Sequence, residues 1–229
     1  SSSISVSIQL SSGGSGNADF GFQQTGSVSG IVFEDLNADG SQQATEGGIG
    51  AVGITLSLTN TSGSVVATTT TAGNGSYVFN GVVAGTYYVS ASTPTGYSPT
   101  SPATQQVVVP GAGSANFGFQ PNGVISGNVF NDLNGNGVKG NTEPGLQGIS
   151  VTLAGDASRT SITDVNGNYD FTALLPGSYT VRATTPTGYN ATTPTSSGIT
   201  IVSGSSGIGN FGFVKTGNLN GIIFNDANG

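Results

Sequence analysis

The sequence predicts an all-β chain of tandem β-sandwich repeats, and three observations carry that prediction. Short segments rich in β-branched and aromatic residues recur along it, such as Tyr77-Val-Phe79, Tyr87-Tyr-Val89 and Val107-Val-Val109. No window shows the 3.6-residue period of an amphipathic helix. One pattern of strands, turns and acidic residues occurs twice in full, with fragments of it at both ends.

The register of the repeat follows from its starts. Gly26-Ser-Val-Ser-Gly30-Ile-Val-Phe33 matches Gly123-Val-Ile-Ser-Gly127-Asn-Val-Phe130 and then Gly217-Asn-Leu-Asn-Gly221-Ile-Ile-Phe224. Residues 26–122 and 123–216 are therefore read as complete repeats and 217–229 as the start of a following one. Residues 1–25 are read as the closing strands of a preceding repeat, because Asp19-Phe20-Gly21-Phe22 matches Asn116-Phe117-Gly118-Phe119 and Asn210-Phe211-Gly212-Phe213. All 11 Phe fall into equivalent sets, and of 7 Tyr only Tyr88 lacks a counterpart. Such placement is expected of core positions, where aromatics supply much of the buried area of a domain poor in Leu.

Within each repeat, Ile54-Thr-Leu-Ser-Leu58 alternates apolar with hydroxyl residues as a half-buried strand should. Asn74-Gly75, Asn166-Gly167, Pro94-Thr-Gly96 and Pro186-Thr-Gly188 punctuate the strands as turns. About seven short strands in roughly 95 residues is the pattern of an Ig-like β-sandwich.

Composition narrows the function classes. The 39 Gly and 34% hydrophobic content suggest a linker at first, but only 7% of residues are charged and the aromatics are periodic, so a folded β-protein is expected. There is no Cys, so no disulfide supports the core. A net charge of −7 removes the electrostatic basis for binding nucleic acid or anionic lipid. No stretch reaches the ~20 apolar residues of a membrane span, so no membrane insertion is expected within this segment. Absence of both His and Cys excludes Ser-His and Cys-His nucleophile systems, and no enzyme is expected.

The loop after each repeat start carries the chemistry. Asp35-Leu-Asn37-Ala-Asp39-Gly40 is followed by Glu46, and Asp132-Leu-Asn134-Gly-Asn136-Gly137 by Glu143, each position 97 residues on. A third copy starts at Asp226-Ala-Asn228-Gly229. The pattern D-x-N-x-[DN]-G-x5-E matches the 12-residue calcium loop at positions 1, 3, 5, 6 and 12. A hard cation takes six to eight oxygen ligands, which alternate side chains of a tightly curled loop can supply. The expected ligands are Asp35, Asn37, Asp39, the carbonyl of Ser41 and Glu46. Their counterparts are Asp132, Asn134, Asn136, the carbonyl of Val138 and Glu143, with Asp226 and Asn228 beginning a third set. The competing reading is a metal-free turn held by side-chain to backbone hydrogen bonds. Against it, seven of the 11 acidic residues lie in or beside these loops, where unneutralised they would repel.

These residues carry a family resemblance. The Gly-x-Val-Phe-x-Asp-x-Asn-x-Asn-Gly pattern, Glu143-Pro-Gly-Leu-x-Gly-Ile-x-Val-x-Leu153, Asn166-Gly-Asn-Tyr-Asp-Phe171, Gly177-Ser-Tyr-Thr-Val181 and Pro186-Thr-Gly-Tyr189 together resemble the B-type repeat domains of serine-aspartate repeat adhesins and collagen-adhesin B-like modules. The resemblance implies prealbumin-like β-sandwiches whose acidic loop binds calcium and stiffens a surface stalk. Some relatives carry a Lys-Asn isopeptide crosslink. Residues 26–122 contain no Lys, and Lys139 and Lys215 of the second repeat have no counterparts in the first, so none is expected here. The expected whole is thus a set of tandem Ig-like/prealbumin-like β-sandwich repeats with calcium-binding loops. It serves as a calcium-rigidified extracellular stalk or fibre, at the cell surface or secreted, with neighbouring repeats and self-association into filaments as its contacts. The alternative is a ligand-binding adhesin module for a host protein or glycan.

Overall fold

Alternation along the strands decides the architecture. In Leu56-Ser-Leu58 both leucines are buried and in Val151-Thr-Leu153 both apolar residues are, while the intervening hydroxyls face outward. One apolar face per strand requires a second sheet to cover it. The computed structural model, which describes residues 6–50, 55–111, 113–217, 219–223 and 225, shows that arrangement twice.

The first repeat contains β1 (Thr25–Glu34), β2 (Thr55–Asn60), β3 (Val65–Thr70), β4 (Ser76–Val83), β5 (Gly85–Ala91), β6 (Tyr97–Pro99), β7 (Thr104–Val109), β8 (Gly113–Ser114) and β9 (Phe117–Pro121). The second repeats the series as β10 (Gly123–Asn131), β11 (Ser150–Gly155), β12 (Arg159–Ile162), β13 (Asn168–Leu174), β14 (Gly177–Ala183), β15 (Tyr189–Ala191), β16 (Ser196–Ile201), β17 (Ser206–Ile208) and β18 (Phe211–Lys215). Strand order is β4-β1-β9-β6 with β8 on β1 in one sheet, and β3-β2-β5-β7 in the other. The second repeat has the same order, β13-β10-β18-β15 with β17 on β10, and β12-β11-β14-β16. Two strands per repeat beyond the expected seven are pieces of two or three residues, β6 and β8 and their counterparts, too short for a period to register.

By compactness the chain divides into one unit of Ser1–Phe33, Gly47–Ser92 and Pro102–Phe117, and another of Glu34–Glu46, Thr93–Ser101 and Gly118–Gly229. These limits differ from the repeat limits read from sequence.

Eight of the repeated Phe are buried: Phe33, Phe79, Phe117, Phe119, Phe130, Phe171, Phe211 and Phe213. In the second core Tyr169 meets Phe171 edge-on with centroids 5.8 Å apart, and Phe211 stacks on Tyr169 at 6.3 Å. Phe20 and Phe22 differ from their counterparts: residues 6–24 form no strand, and Phe22 is 84% exposed. A closing strand such as β18 is held by pairing with β10 and β15. Residues 20–22 lie outside every sheet, so nothing buries their rings.

Each core tyrosine also closes a polar contact. Tyr77 donates its hydroxyl to the carbonyl of Ala115 at 2.5 Å, and Tyr169 donates to Gly209. Burial raises both hydroxyls far above the ordinary value of 10.0. Tyr97 is pushed up to about 12, first by its bond to the Glu34 carboxylate. A phenol whose folded pKa is raised contributes stability that is complete below pH 10 and is lost as pH climbs toward the folded value. Denaturant melts between pH 8 and about 11.5 are therefore expected to show a flat plateau and then a fall above pH 10. A plateau that persists to the upper limit would contradict the buried phenols.

Among the described strand residues, one non-glycine residue is strained. Ala173, in β13, sits at φ 52°, where the first repeat has Gly81 at φ 68°. The guanidinium of Arg159 donates to the carbonyls of Thr172 and Ala173, tying β12 to this irregular point. Ala173→Gly is expected to stabilise the second repeat by about 0.5–1 kcal/mol, the left-handed strain removed less the extra chain entropy of glycine. Equilibrium urea unfolding checks the sign.

Candidate metal centres

The two acidic loops leave the ends of β1 and β10 and return to them. Asp35 donates its N–H to the Phe119 carbonyl at 2.9 Å, and Asp132 donates to Phe213 at 2.8 Å, which fixes the loop entrance on the closing strand. At the exit, Ile49 N–H donates to Val32 and Leu146 N–H to Val129, and Phe33 bridges Gly48 as Phe130 bridges Gly145. Each loop is thus held at both ends by backbone bonds to buried strands.

Within the loop, side-chain oxygens take up the amides that the curl leaves without strand partners. Asp35 accepts from Asp39 N–H at 3.2 Å and Gly40 N–H at 2.8 Å, one on each carboxylate oxygen. Asn37 accepts from Asp39 N–H, and Asp39 accepts from Ser41 N–H and from the Gln43 amide. Glu46 reaches back across the loop to accept from Leu36 N–H and Gln43 N–H, each at 2.9 Å. The second loop repeats the pattern: Asp132 accepts from Asn136 and Gly137, Asn134 from Asn136, Asn136 from Val138, and Glu143 from Leu133 and Gly140. Gly40 and Gly137 at position 6 have φ of 77° and 74°, the left-handed turn that the motif requires of glycine. Position 8 is also shared: the amide of Gln42 and the ammonium of Lys139 both donate to the carbonyl of the closing glutamate.

Burial is uneven along the loop. Asp35 is 0% exposed and Glu46 5%, and Asp132 is 0% and Glu143 4%, whereas Asn37, Asp39, Asn134 and Asn136 lie at the surface. Burial alone pushes the Asp132 carboxyl up, but the Thr192 hydroxyl beside it and the N–H groups of Gly137, Gly135 and Asn136 hold it below the ordinary carboxylate value of 3.8. Asp39 is lowered first by the Gln43 amide and then by Ser41 N–H. A carboxylate with a depressed folded pKa contributes stability that is complete above pH 3.8 and disappears as pH falls through the folded value. Acid melts are expected to hold level down to about pH 4 and drop below it. A transition midpoint already falling near pH 6 would contradict these shifts.

The donor chemistry fits a hard cation. Every candidate group is a carboxylate, a carboxamide or a carbonyl, and an ionised carboxylate oxygen that accepts one N–H keeps a further lone pair. The first repeat supplies no counter-charge of its own, because residues 26–122 contain neither Lys nor Arg. Two buried carboxylates without a basic residue in their repeat are costly unless a cation or a proton joins them. The geometry is looser than the motif, however: among the described residues no three Asp, Glu, His or Cys side chains form one group. Ser41 and Val138 enter the loop bonding through their N–H groups. Asp226 and Asn228 of the third set lie outside the described residues.

A motif marks the loop in the sequence, but nothing there marks its supports. Thr192 beside Asp132, and Gln120, whose amide donates to the Leu36 carbonyl at 3.0 Å, come from distant parts of the chain and carry no motif. Lys215 ends β18 opposite Tyr189, and Lys139 is engaged at the loop carbonyl.

The sequence matches a known domain family. The SdrD B-like domain family matches residues 26–107 and 123–213. Serine-aspartate repeat-containing protein D of Staphylococcus aureus (strain Newman) is 36% identical over 198 residues, covering 78% of this chain and 15% of that protein. Serine-aspartate repeat-containing protein F of Staphylococcus epidermidis is 36% identical over 217 residues, covering 86% of this chain and 12% of that protein. The chain thus spans a small part of the length of these relatives. Among solved structures, the minor pilin GBS52 of Streptococcus agalactiae aligns with a TM-score of 0.39 and 16% identity over 86% of this chain and 99% of that one. The shaft pilin SpaA of Lactobacillus rhamnosus GG aligns with a TM-score of 0.38 and 13% identity over 86% and 100%. With a family match over most of its length, the chain belongs to the SdrD B-like domain family and carries two such domains in tandem.

Proposed function

We propose that the chain is a structural segment of an extracellular surface protein, a run of β-sandwich repeats stiffened by calcium at the loops after β1 and β10 and set beside neighbouring repeats and copies. Membership in a family of repeat domains found in serine-aspartate repeat-containing proteins supports the structural role and the surface location. The role is mechanical and not catalytic. One observation carries the calcium reading: Asp35 and Glu46 are buried at opposite ends of one loop in a repeat that has no Lys or Arg.

Asp35, Asn37, Asp39, the Ser41 carbonyl and Glu46 would hold one ion, and Asp132, Asn134, Asn136, the Val138 carbonyl and Glu143 another. A bound ion would supply the positive charge that the repeat lacks and tie the loop exit to its entrance. The exit is bonded to β1 or β10 and the entrance to the closing strand, so tying them would suppress local opening at that end of each sandwich. Calorimetric titration of the chain with calcium tests the reading. Two sites are expected for the intact chain and one for Glu46→Ala or Glu143→Ala. Titrations without heat at millimolar calcium would reject it.

A further inference from the structure

We propose that β7 is a self-pairing edge, by which two copies of this chain join their β3-β2-β5-β7 sheets into one continuous eight-stranded sheet. The inference rests on the reading above that copies of the chain pack beside one another, and it names the surface. β7 is Thr104-Gln-Gln-Val-Val-Val109, six residues of high β-propensity without charge or proline. It pairs with β5 in unbroken register from Ser90↔Thr104 to Gly85↔Val109, and it stands last in its sheet. Its other edge therefore presents a row of strand N–H and C=O groups, and among the described residues no backbone hydrogen bond reaches that edge.

Natural sheets blunt such edges with bulges, short strands, charges or glycine. The other edges of the two sandwiches show these devices. β4 faces a register shift at Gly26/Ser27, and the pairing of β3 shifts at Leu58/Thr59. β6 has three residues, and β12 has four and begins with Arg159. The counterpart of β7 in the second repeat is β16, which contains Gly198 and lies opposite Arg182. β7 has none of them.

Charge selects a second copy as the partner. The net charge of −7 opposes contact between copies over most of the surface, but residues 47–131 contain no Asp, Glu, Lys or Arg. β7 and its pairing strand β5 both lie inside that stretch, so the edge itself carries no like charges to hold two copies apart. Side-chain direction fits as well. Val107 and Val109 are buried, while Gln106 faces out and Val108 is 57% exposed. An antiparallel pair with its two-fold axis at Gln106 or at Val107 puts inward residues opposite inward ones and outward opposite outward. In the first register Gln106 faces Gln106 and Val108 faces Thr104.

Sedimentation velocity over a concentration series tests the proposal, using the whole chain, Val108→Lys and, as a matched control, Thr200→Lys at the equivalent place in β16. The chain is expected to dimerise, Thr200→Lys to match it, and Val108→Lys to weaken association by at least about tenfold. Thermal melts confirm that the variants fold. Because the chain has no Cys, Gln106→Cys gives an independent readout: mild oxidation should yield a disulfide-linked dimer in the Gln106 register, and mixing it with Val108→Cys should do so in the Val107 register. Equal association of wild type and Val108→Lys, with no crosslink, overturns the β7 surface and leaves packing of copies standing. A wild type that stays monomeric throughout overturns both.

Discussion

Gly127→Ala is expected to unfold the second sandwich under conditions where the parent chain is stable. A Cβ at residue 127 would lie 1.8 Å from the carbonyl oxygen of Gly209 and 2.7 Å from the Tyr169 hydroxyl. Neither neighbour has room to retreat. The carbonyl belongs to the segment between β17 and β18, and the hydroxyl belongs to a fully packed core ring that donates to that same carbonyl. Glycine is required here for close approach of strand, carbonyl and phenol. A loss of at least about 4 kcal/mol is expected, the range of severe overpacking at a buried site. Tyr169→Phe removes only the hydrogen bond and should cost about 1–3 kcal/mol. The double variant should not recover, because the Gly209 carbonyl still meets the added methyl. Gly30→Ala repeats the test in the first sandwich, where the added methyl would lie 1.8 Å from the Ala115 carbonyl oxygen and Tyr77 takes the place of Tyr169. Urea unfolding measures all four, and a cost below about 1 kcal/mol for Gly127→Ala would show that the close approach is absent.

Glu143→Ala should have the second largest effect, in two separable parts. Without calcium it leaves the N–H groups of Leu133 and Gly140 without their carboxylate partner, at a cost of about 2–4 kcal/mol for two charge-assisted bonds in a partly buried loop. With calcium it should also abolish the metal-dependent rise in stability of the second repeat while leaving that of the first. Glu46→Ala should do the reverse through Leu36 and Gln43. Repeat-selective loss distinguishes a bound ion from a general salt effect, which would act on both repeats in both variants. Unfolding of each variant in calcium and in chelator gives the four numbers needed.

Much of this was legible in the sequence, because the repeat wrote each constraint twice. The equivalent Phe and Tyr sets marked the cores, and eight of those Phe are buried. Leu56-Ser-Leu58 and Val151-Thr-Leu153 showed strand direction through simple alternation. The acidic loops were legible because the spacing of Asp35, Asn37, Asp39 and Glu46 reappears at Asp132, Asn134, Asn136 and Glu143.

What stayed hidden depends on contacts across long stretches of chain. The bond from Tyr169 to Gly209 links residues 40 apart, and nothing near Gly127 announces that a carbonyl will press on it. Arg159 belongs to no motif, yet it grips the carbonyls of a left-handed alanine and its neighbour on another strand. The internal bonding of the acidic loop was also invisible, since the same side chains serve a turn or a metal. Phe20 and Phe22 show the limit of the register argument: matching sequence does not bury a ring without the sheet that covers it.

Calcium bracing of both sandwiches through the loops after β1 and β10 is what we propose, and thermal melting of the intact chain in calcium and in chelator separates it from a metal-free fold. At a hundredfold excess over the dissociation constant, a filled site adds about 2.7 kcal/mol, which for a domain of this size raises the melting temperature by roughly 10–20 °C. A rise of that order for both repeats, absent with magnesium at equal ionic strength, is the result expected. Coincident melting curves in millimolar calcium and in chelator would contradict the claim and leave the loops as hydrogen-bonded turns.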